Sequence, residues 1–261
     1  MDERSKLKKY LILAFGFAWA FWWIDVALTQ LGGMKESEIL PKVLFIVGGF
    51  GPFVAALSCL DGGFSLRHLK EFLLAHKPGR WWYLILFAAL EIGVFALSSK
   101  GLAPGIPKSP VILPVFLGIL LLMTLVFGGS EELGWRGTMG PILNHTMPRV
   151  LAPLVIGMIW SFWHIPLWFI AGDSHQSLSF FAFLVLGIAL SYWLASLYDM
   201  TGSVLACMLI HGLTNTIMGF FVVGTNPWFI VGILFLTTVA VVASYRTRSE
   251  GRAETDRGKT L

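Results

Sequence analysis

Two adjacent carboxylates, Glu131 and Glu132, follow an apolar run from Val111 to Phe127 that is long enough to cross a bilayer. Charge is poorly solvated at that depth, so acidic groups at the end of a membrane helix are costly and usually serve a purpose. Residues four apart share a helix face, which predicts that Glu132 pairs with Arg136. Glu131 is turned about 100° away from that face and is expected to face a cavity. A solvated charge cluster at an interfacial helix end is the alternative explanation of this stretch.

Three more polar residues lie within apolar runs, on two later segments: His164, His211 and Asn215. His211 and Asn215 are four apart and therefore address one volume from one helix face. Pro166 weakens the helix next to His164 and can open room beside the imidazole. A lone membrane histidine is more often an interhelical hydrogen-bond partner than a catalyst. The whole set, however, contains the groups that a general base and an oxyanion clamp require.

The composition indicates a membrane protein. The chain has 261 residues, of which 56% are hydrophobic and 13% are charged, against about 45–50% and 25% in soluble domains. Its mean hydropathy is +0.75, which excludes a water-soluble globule. Helices are expected, because an open sheet cannot satisfy its backbone in lipid. The basic residues flank apolar runs and form no surface suited to nucleic acid, so we predict no nucleic-acid partner.

The apolar runs predict an all-α polytopic protein with about eight transmembrane helices and one amphipathic surface helix at 61–80. The second span should be kinked by its Gly and Pro residues, and the third carries Glu91 near its middle. We interpret residues 1–245 as a single transmembrane domain with its motif core at 128–220, and residues 246–261 as a charged, disordered tail. The eight predicted spans are 10–31, 42–60, 81–98, 111–127, 149–171, 180–198, 203–223 and 227–245.

The distribution of basic residues predicts the orientation. Eight spans place both termini on one side of the membrane. Of the 19 Lys and Arg residues, only four fall on the opposite side, namely Lys35, Lys42, Lys100 and Lys108. Cytoplasmic segments are enriched in Lys and Arg, so both termini are expected in the cytoplasm.

The motifs resemble those of the CPBP family, which comprises the type II CAAX prenyl endopeptidases and bacteriocin-processing or self-immunity membrane proteases. The family's three motifs are Glu-Glu-x-x-x-Arg, Phe-x-x-x-His and His-x-x-x-Asn/Asp. The first matches Glu131 to Arg136 and the third matches His211 to Asn215. The second differs, because Trp160 stands where Phe is usual, although His164 is present. This change affects the packing beside the site more than the chemistry.

The resemblance implies roles for these residues. Glu131 and His164 would activate a water for attack on a peptide carbonyl, His211 and Asn215 would stabilise the oxyanion, and Glu132 and Arg136 would support the first motif. No cofactor is required on this interpretation. The family has also been described as metalloproteases, and zinc or another divalent metal would then bind Glu131, His164 and His211.

The resemblance also implies the setting of the reaction. It predicts an integral protein of a prokaryotic cell membrane that cleaves a membrane-anchored peptide or protein tail, with prenylated CAAX tails among the candidate substrates. Two other functions compete with this one. The first is a non-catalytic immunity or scaffold protein that keeps the motifs for folding. The second is a small transporter that couples ions through Glu91 and Glu131, although the chain shows none of the internal symmetry that many transporters have.

Overall fold

The computed structural model is almost entirely helical over the residues that it describes, which are 1–60, 65–223 and 227–258, with side chains up to residue 245. Short 3-10 and π segments adjoin several helices. The α-helices in chain order are α1 (Glu3–Gln30), α2 (Ile39–Gly49), α3 (Gly51–Ser58), α4 (Leu66–Leu74), α5 (Trp82–Ser98), α6 (Ile112–Leu125), α7 (Glu132–Gly134), α8 (Gly140–Thr146), α9 (Leu151–Trp163), α10 (Phe180–Thr201), α11 (Val204–Phe220) and α12 (Pro227–Gly258).

Within the described residues, six helical stretches are long and apolar enough to cross a membrane: Glu3–Gln30, Ile39–Ser58, Ile112–Thr146, Leu151–Phe169, Phe180–Thr201 and Pro227–Tyr245. The helices α5 and α11 are also apolar but have 17 residues each. Such a helix rises about 26 Å, slightly less than the roughly 30 Å hydrocarbon core. The predicted all-α polytopic architecture is confirmed, whereas the count of eight crossings stays a prediction.

The second predicted span is broken, as its Gly and Pro residues indicate. Helix α2 ends at Gly49 and α3 begins at Gly51, with Phe50 between them. Pro52 has no backbone N–H to donate to the preceding turn. The N–H of Phe50 bonds the carbonyl oxygen of Val47 at 3.1 Å in a tighter turn. The break lets two short helices pack separately against α1.

Two apolar clusters form most of the described core. The first joins α5, α10, α11 and α12 around buried residues such as Trp193 and Leu194. The second joins α1, α3 and α9 and includes Trp22, Trp135 and Trp163. Trp135 lies within the Glu131–Arg136 motif, whereas α11 belongs to the first cluster. The segment around the motif therefore lies where the two clusters meet.

The predicted amphipathic helix is present as α4, but it is shorter than 61–80, and residues 61–64 lie outside the described part of the chain. Ser65 caps it by accepting a hydrogen bond from His68 N–H at 3.0 Å. The inner face packs against a small cluster that includes Leu133, and the side chain of Phe72 lies against Gly137. Helix α4 thus covers the motif segment from one side. Its position on a lipid leaflet stays a prediction.

Two features differ from the sequence-based expectations. Residues Phe221–Val223, predicted as the end of a span, form a strand β2 that pairs antiparallel with β1 (Ser99–Leu102). The pairing joins the ends of α5 and α11. These ends are too far apart in the sequence to be recognised as partners from a local pattern. In addition, α12 continues through Gly258, so its backbone is helical over most of the tail for which the charge pattern predicts disorder.

Candidate active site

The polypeptide enters the acidic motif through a turn centred on Gly128. Its φ of +55° and ψ of −62° lie in a region that residues with a Cβ rarely adopt. The N–H of Gly129 donates to the carbonyl of Phe127 across this turn. A 3-10 turn (Gly129–Glu131), the short α7 and a π-helix (Trp135–Met139) follow. The turn ends the apolar helix α6 and directs both carboxylates into the protein.

Glu131 lies in an aromatic environment and is 5% exposed. Its Oε2 accepts two hydrogen bonds, from Trp135 Nε1 at 3.2 Å and from Trp160 Nε1 at 2.6 Å. Among the described residues, neither of these donors contacts Oε1. One oxygen of the carboxylate is therefore fixed, and the other is available to a small ligand such as water.

Glu132 is completely buried and has two polar partners. Arg136 Nη1 lies 3.0 Å from Oε2 and donates to Oε1 at 3.1 Å, and His211 Nδ1 lies 2.7 Å from Oε1. The ion pair has the four-residue spacing expected from the sequence. Removing one partner of such a buried pair leaves an uncompensated charge and is strongly destabilising. Glu132 thus links the motif turn to α11.

His164 follows the last residue of α9 and precedes a 3-10 turn (Ile165–Phe169) that has Pro166 in its first turn. Its Nδ1 lies 2.8 Å from the carbonyl oxygen of Trp160. A carbonyl can only accept, so Nδ1 carries the proton and Nε2 of the neutral ring is an acceptor. The imidazole is packed among Trp22, Trp160 and Trp163. It therefore has the tautomer and the immobility that a general base needs.

His211 and Asn215 face Gly128 from α11. A Cβ built on Gly128 would lie 2.9 Å from His211 Nε2 and would overlap Asn215 Nδ2. His211 Nδ1 bonds the carboxylate of Glu132, so Nε2 can donate as well only when the ring carries both protons. Glu132 then supplies the counter-charge of the ring. The two residues can then direct two N–H donors into the space above the glycine.

The structure brings the sequence-predicted residues to one region. Trp160 bonds Glu131, and its ring centroid lies 4.5 Å from that of His164 and 5.8 Å from that of His211. Asn215 lies beside His211 over Gly128. Three of the predicted catalytic residues thus lie around Trp160, and His211 and Asn215 lie over Gly128.

The metal site predicted at Glu131, His164 and His211 stays a prediction. Among the residues that the structure describes, no three His, Cys, Asp or Glu side chains are placed to hold an ion together. The Nδ1 atoms of His164 and His211 are bonded to Trp160 and Glu132, so Nε2 is the ring nitrogen that each histidine can offer to a ligand. Oε2 of Glu131 is held by two indoles.

Several site residues were not recognised from sequence. Ser130 donates to the carbonyl of Val126 at 3.3 Å. His175 bonds Asp173 at 2.6 Å and stacks on His164 with ring centroids 6.1 Å apart. The Asp-x-His spacing in a polar loop is the only signal for this pair. Gly128 was not singled out either, and its close approach to His211 and Asn215 has no local signal in the sequence.

Glu91 does not join the site, and it contacts the helix that carries His211 and Asn215. The Thr214 hydroxyl on α11 donates to Glu91 Oε1, while Glu91 Oε2 is buried without a hydrogen-bond partner among the described residues. The bond fixes α5 against α11 within the apolar cluster. This is the structural role that a buried membrane carboxylate can have besides ion coupling.

The contact leads to a stability prediction. Thr214→Val should destabilise the protein by about 1 kcal/mol, in the range of interhelical hydrogen bonds in membranes, because Glu91 loses its donor. The midpoint of thermal unfolding in detergent would measure the effect. Thr238→Val on the exposed face of α12 is the matched control, since that hydroxyl bonds only its own helix at Leu234. Equal midpoints for the two variants would contradict the proposed contact.

The architecture and the site together define the class: an all-α integral membrane protein with buried carboxylates, imidazoles and an amide at the junction of its helices. A family model described as type II CAAX prenyl endopeptidase Rce1-like matches residues 113–217, which include every motif residue from Glu131 to Asn215. The chain is also 28% identical over 262 residues to a protein of Methanococcus maripaludis named CAAX prenyl protease 2, covering 90% of this chain and 92% of that one. These findings support the CPBP family predicted from the motifs. The family points to a membrane protease of the CAAX type.

Proposed function

We propose that the protein is an intramembrane endopeptidase that hydrolyses a peptide bond in a membrane-anchored tail of the prenylated CAAX type. The observation that supports the proposal is that Trp160 contacts both groups: its indole N–H donates to Glu131 Oε2 at 2.6 Å, and its carbonyl oxygen lies 2.8 Å from His164 Nδ1. Glu131 Oε1 and His164 Nε2 are then the acceptors left for a water molecule. Two acceptors with fixed orientation can hold and deprotonate one water molecule.

The proposed reaction uses the protein's own groups. Glu131 and His164 accept a proton from water while its oxygen attacks the scissile carbonyl carbon. The carbonyl oxygen becomes an oxyanion, which His211 Nε2–H and Asn215 Nδ2–H stabilise by hydrogen bonding. The accepted proton then passes to the leaving nitrogen as the C–N bond breaks. Glu132 orients His211 through its contact with Nδ1, and Arg136 holds Glu132 in place.

The burial of the site supports a substrate that arrives through the lipid. Glu131, His164 and His211 are nearly excluded from solvent. The surrounding helices expose large apolar side chains such as Leu117, Leu121 and Phe181. An isoprenoid tail partitions into the same apolar layer, so the bilayer itself is a partner of the reaction. We further propose a location in the cell membrane with both termini in the cytoplasm.

The direct test is cleavage of a farnesylated CAAX peptide by the purified protein in lipid nanodiscs. Mass spectrometry should show release of the residues that follow the prenylated cysteine. The same peptide without the lipid group is the control and should be cleaved more slowly, because it lacks the apolar anchor. A protein that is folded but leaves the prenylated peptide intact would instead favour the scaffold function.

The metal question gives a separate prediction. Cleavage should continue at the same rate after treatment with a strong chelator, because the proposed proton acceptors are side chains held by Trp135, Trp160 and a carbonyl. The rate before and after dialysis against the chelator measures this. Loss of activity that zinc restores, and magnesium does not, would overturn the metal-free mechanism.

A further inference from the structure

Trp160 makes a contact with Glu131 that a phenylalanine could not make. Its indole Nε1 donates to Glu131 Oε2 at 2.6 Å, and Trp160 is only 9% exposed. Phenylalanine has a ring of similar character but no donor. A hydrogen bond from an N–H to a buried carboxylate is one of the stronger interactions in a protein interior. The aromatic residue of the second motif therefore has a polar role in this chain.

The same residue also holds His164. The backbone carbonyl of Trp160 accepts the bond from His164 Nδ1 at 2.8 Å, four residues along α9. Trp135 supplies a second donor to Glu131, but at 3.2 Å and from the motif segment itself. Trp160 is thus the residue that ties the carboxylate of one segment to the imidazole of another. It fixes the distance between the two groups that share the water.

The neighbouring helix is shaped to accommodate the indole. A Cβ on Gly187 of α10 would lie 2.7 Å from Trp160 Cζ3, and 2.6 Å from Ser161 Oγ. On its other side the indole stacks on Phe183, with centroids 5.1 Å apart and an interplanar angle of 14°. Helix α10 therefore leaves space for the larger ring and supports its plane, which aims the N–H at Glu131.

We propose that Trp160 is a positioning residue of the reaction: its indole N–H holds Glu131 Oε2 so that Oε1 faces the water shared with His164. This inference rests on the proposed function. It differs from a packing role because it assigns the effect to one N–H group. Loss of that group leaves the binding of the apolar substrate unchanged and misplaces the carboxylate, so kcat falls and KM stays the same.

Two replacements of Trp160 test the proposal. Trp160→Phe removes the N–H and part of the ring. Replacement by 3-benzothienylalanine keeps the bicyclic shape and puts sulfur in place of N–H. We expect both to lower kcat for the prenylated peptide by about 10- to 100-fold with KM within about twofold. Trp193→Phe is the matched control, since that buried indole bonds Thr237 in the other apolar cluster, at 3.0 Å.

Each outcome decides the question. Full kcat in the benzothienylalanine protein, with or without a loss in Trp160→Phe, would overturn the proposal, because ring shape would then suffice. If Trp160→Phe does not fold, the benzothienylalanine protein decides alone, since it preserves the packing against Gly187 and Phe183. A Glu131→Gln protein measured in parallel separates the proposed function from the inference about Trp160. If that protein is active, the proposed function is refuted. If it is inactive while both Trp160 replacements are fully active, only the inference about Trp160 is refuted.

Discussion

Glu131→Gln should lower kcat for a prenylated peptide by about 10²- to 10⁴-fold, the usual contribution of a general base. The amide cannot take a proton from water. Its carbonyl oxygen can still accept from Trp135 and Trp160, which hold the carboxylate at 3.2 and 2.6 Å. The variant should therefore keep its thermal unfolding midpoint and its elution volume while it loses turnover.

Glu71→Gln is the control for this substitution. Glu71 pairs with Arg67 on the exposed face of α4, where the pair is worth little. The control should retain both turnover and stability. Wild-type turnover in Glu131→Gln would remove the carboxylate from the mechanism, and a scaffold role or a different base would then be required.

Gly128→Ala is the second substitution with a large expected effect. Alanine at a φ of +55° is strained by about 1–2 kcal/mol, and its methyl group would lie 2.9 Å from His211 Nε2. The side chains of His211 and Asn215 must then move away from the position of the oxyanion. Loss of one such donor costs about 10²- to 10³-fold in kcat, and we expect at least that from steady-state measurements.

Gly118→Ala separates the local clash from a general effect on α6. Gly118 lies on that helix, and a Cβ built there meets no atom within 4 Å. Alanine is the better helix former by about 1 kcal/mol, so the control should be as stable as the wild type or more stable. Equal kcat values for the two alanine proteins would show that the space above Gly128 has no part in the reaction.

The sequence was sufficient for those features that arise within one segment. The polytopic all-α class follows from composition, the break at Phe50 from Gly51 and Pro52, and the Glu132–Arg136 ion pair from a four-residue spacing. Each depends on a local rule that one stretch of chain satisfies by itself. The grouping of His164 and His211 near Glu131 came from the resemblance between motifs rather than from periodicity.

The remaining features depend on contacts between distant segments. Trp160 was expected to affect packing more than chemistry, because nothing near it in the sequence shows that its N–H meets Glu131, 29 residues away. The pairing of Glu132 with His211 spans 79 residues. The π-helix at Trp135–Met139 also has no local signal, since its residues are compatible with an ordinary α-helix. Such features become visible only once the helices are packed.

The meeting of two separate apolar clusters around the motif turn has a consequence for how the protein can fail. Glu131 is held mainly by side chains of one cluster, whereas His211 and Asn215 belong to a helix of the other. A slight sideways parting of these two halves would separate the proposed proton acceptors from the oxyanion donors while every helix stayed intact. The helical content measured by spectroscopy can therefore stay the same while turnover is lost. The bilayer that surrounds the two halves and keeps them in contact is accordingly part of the active state.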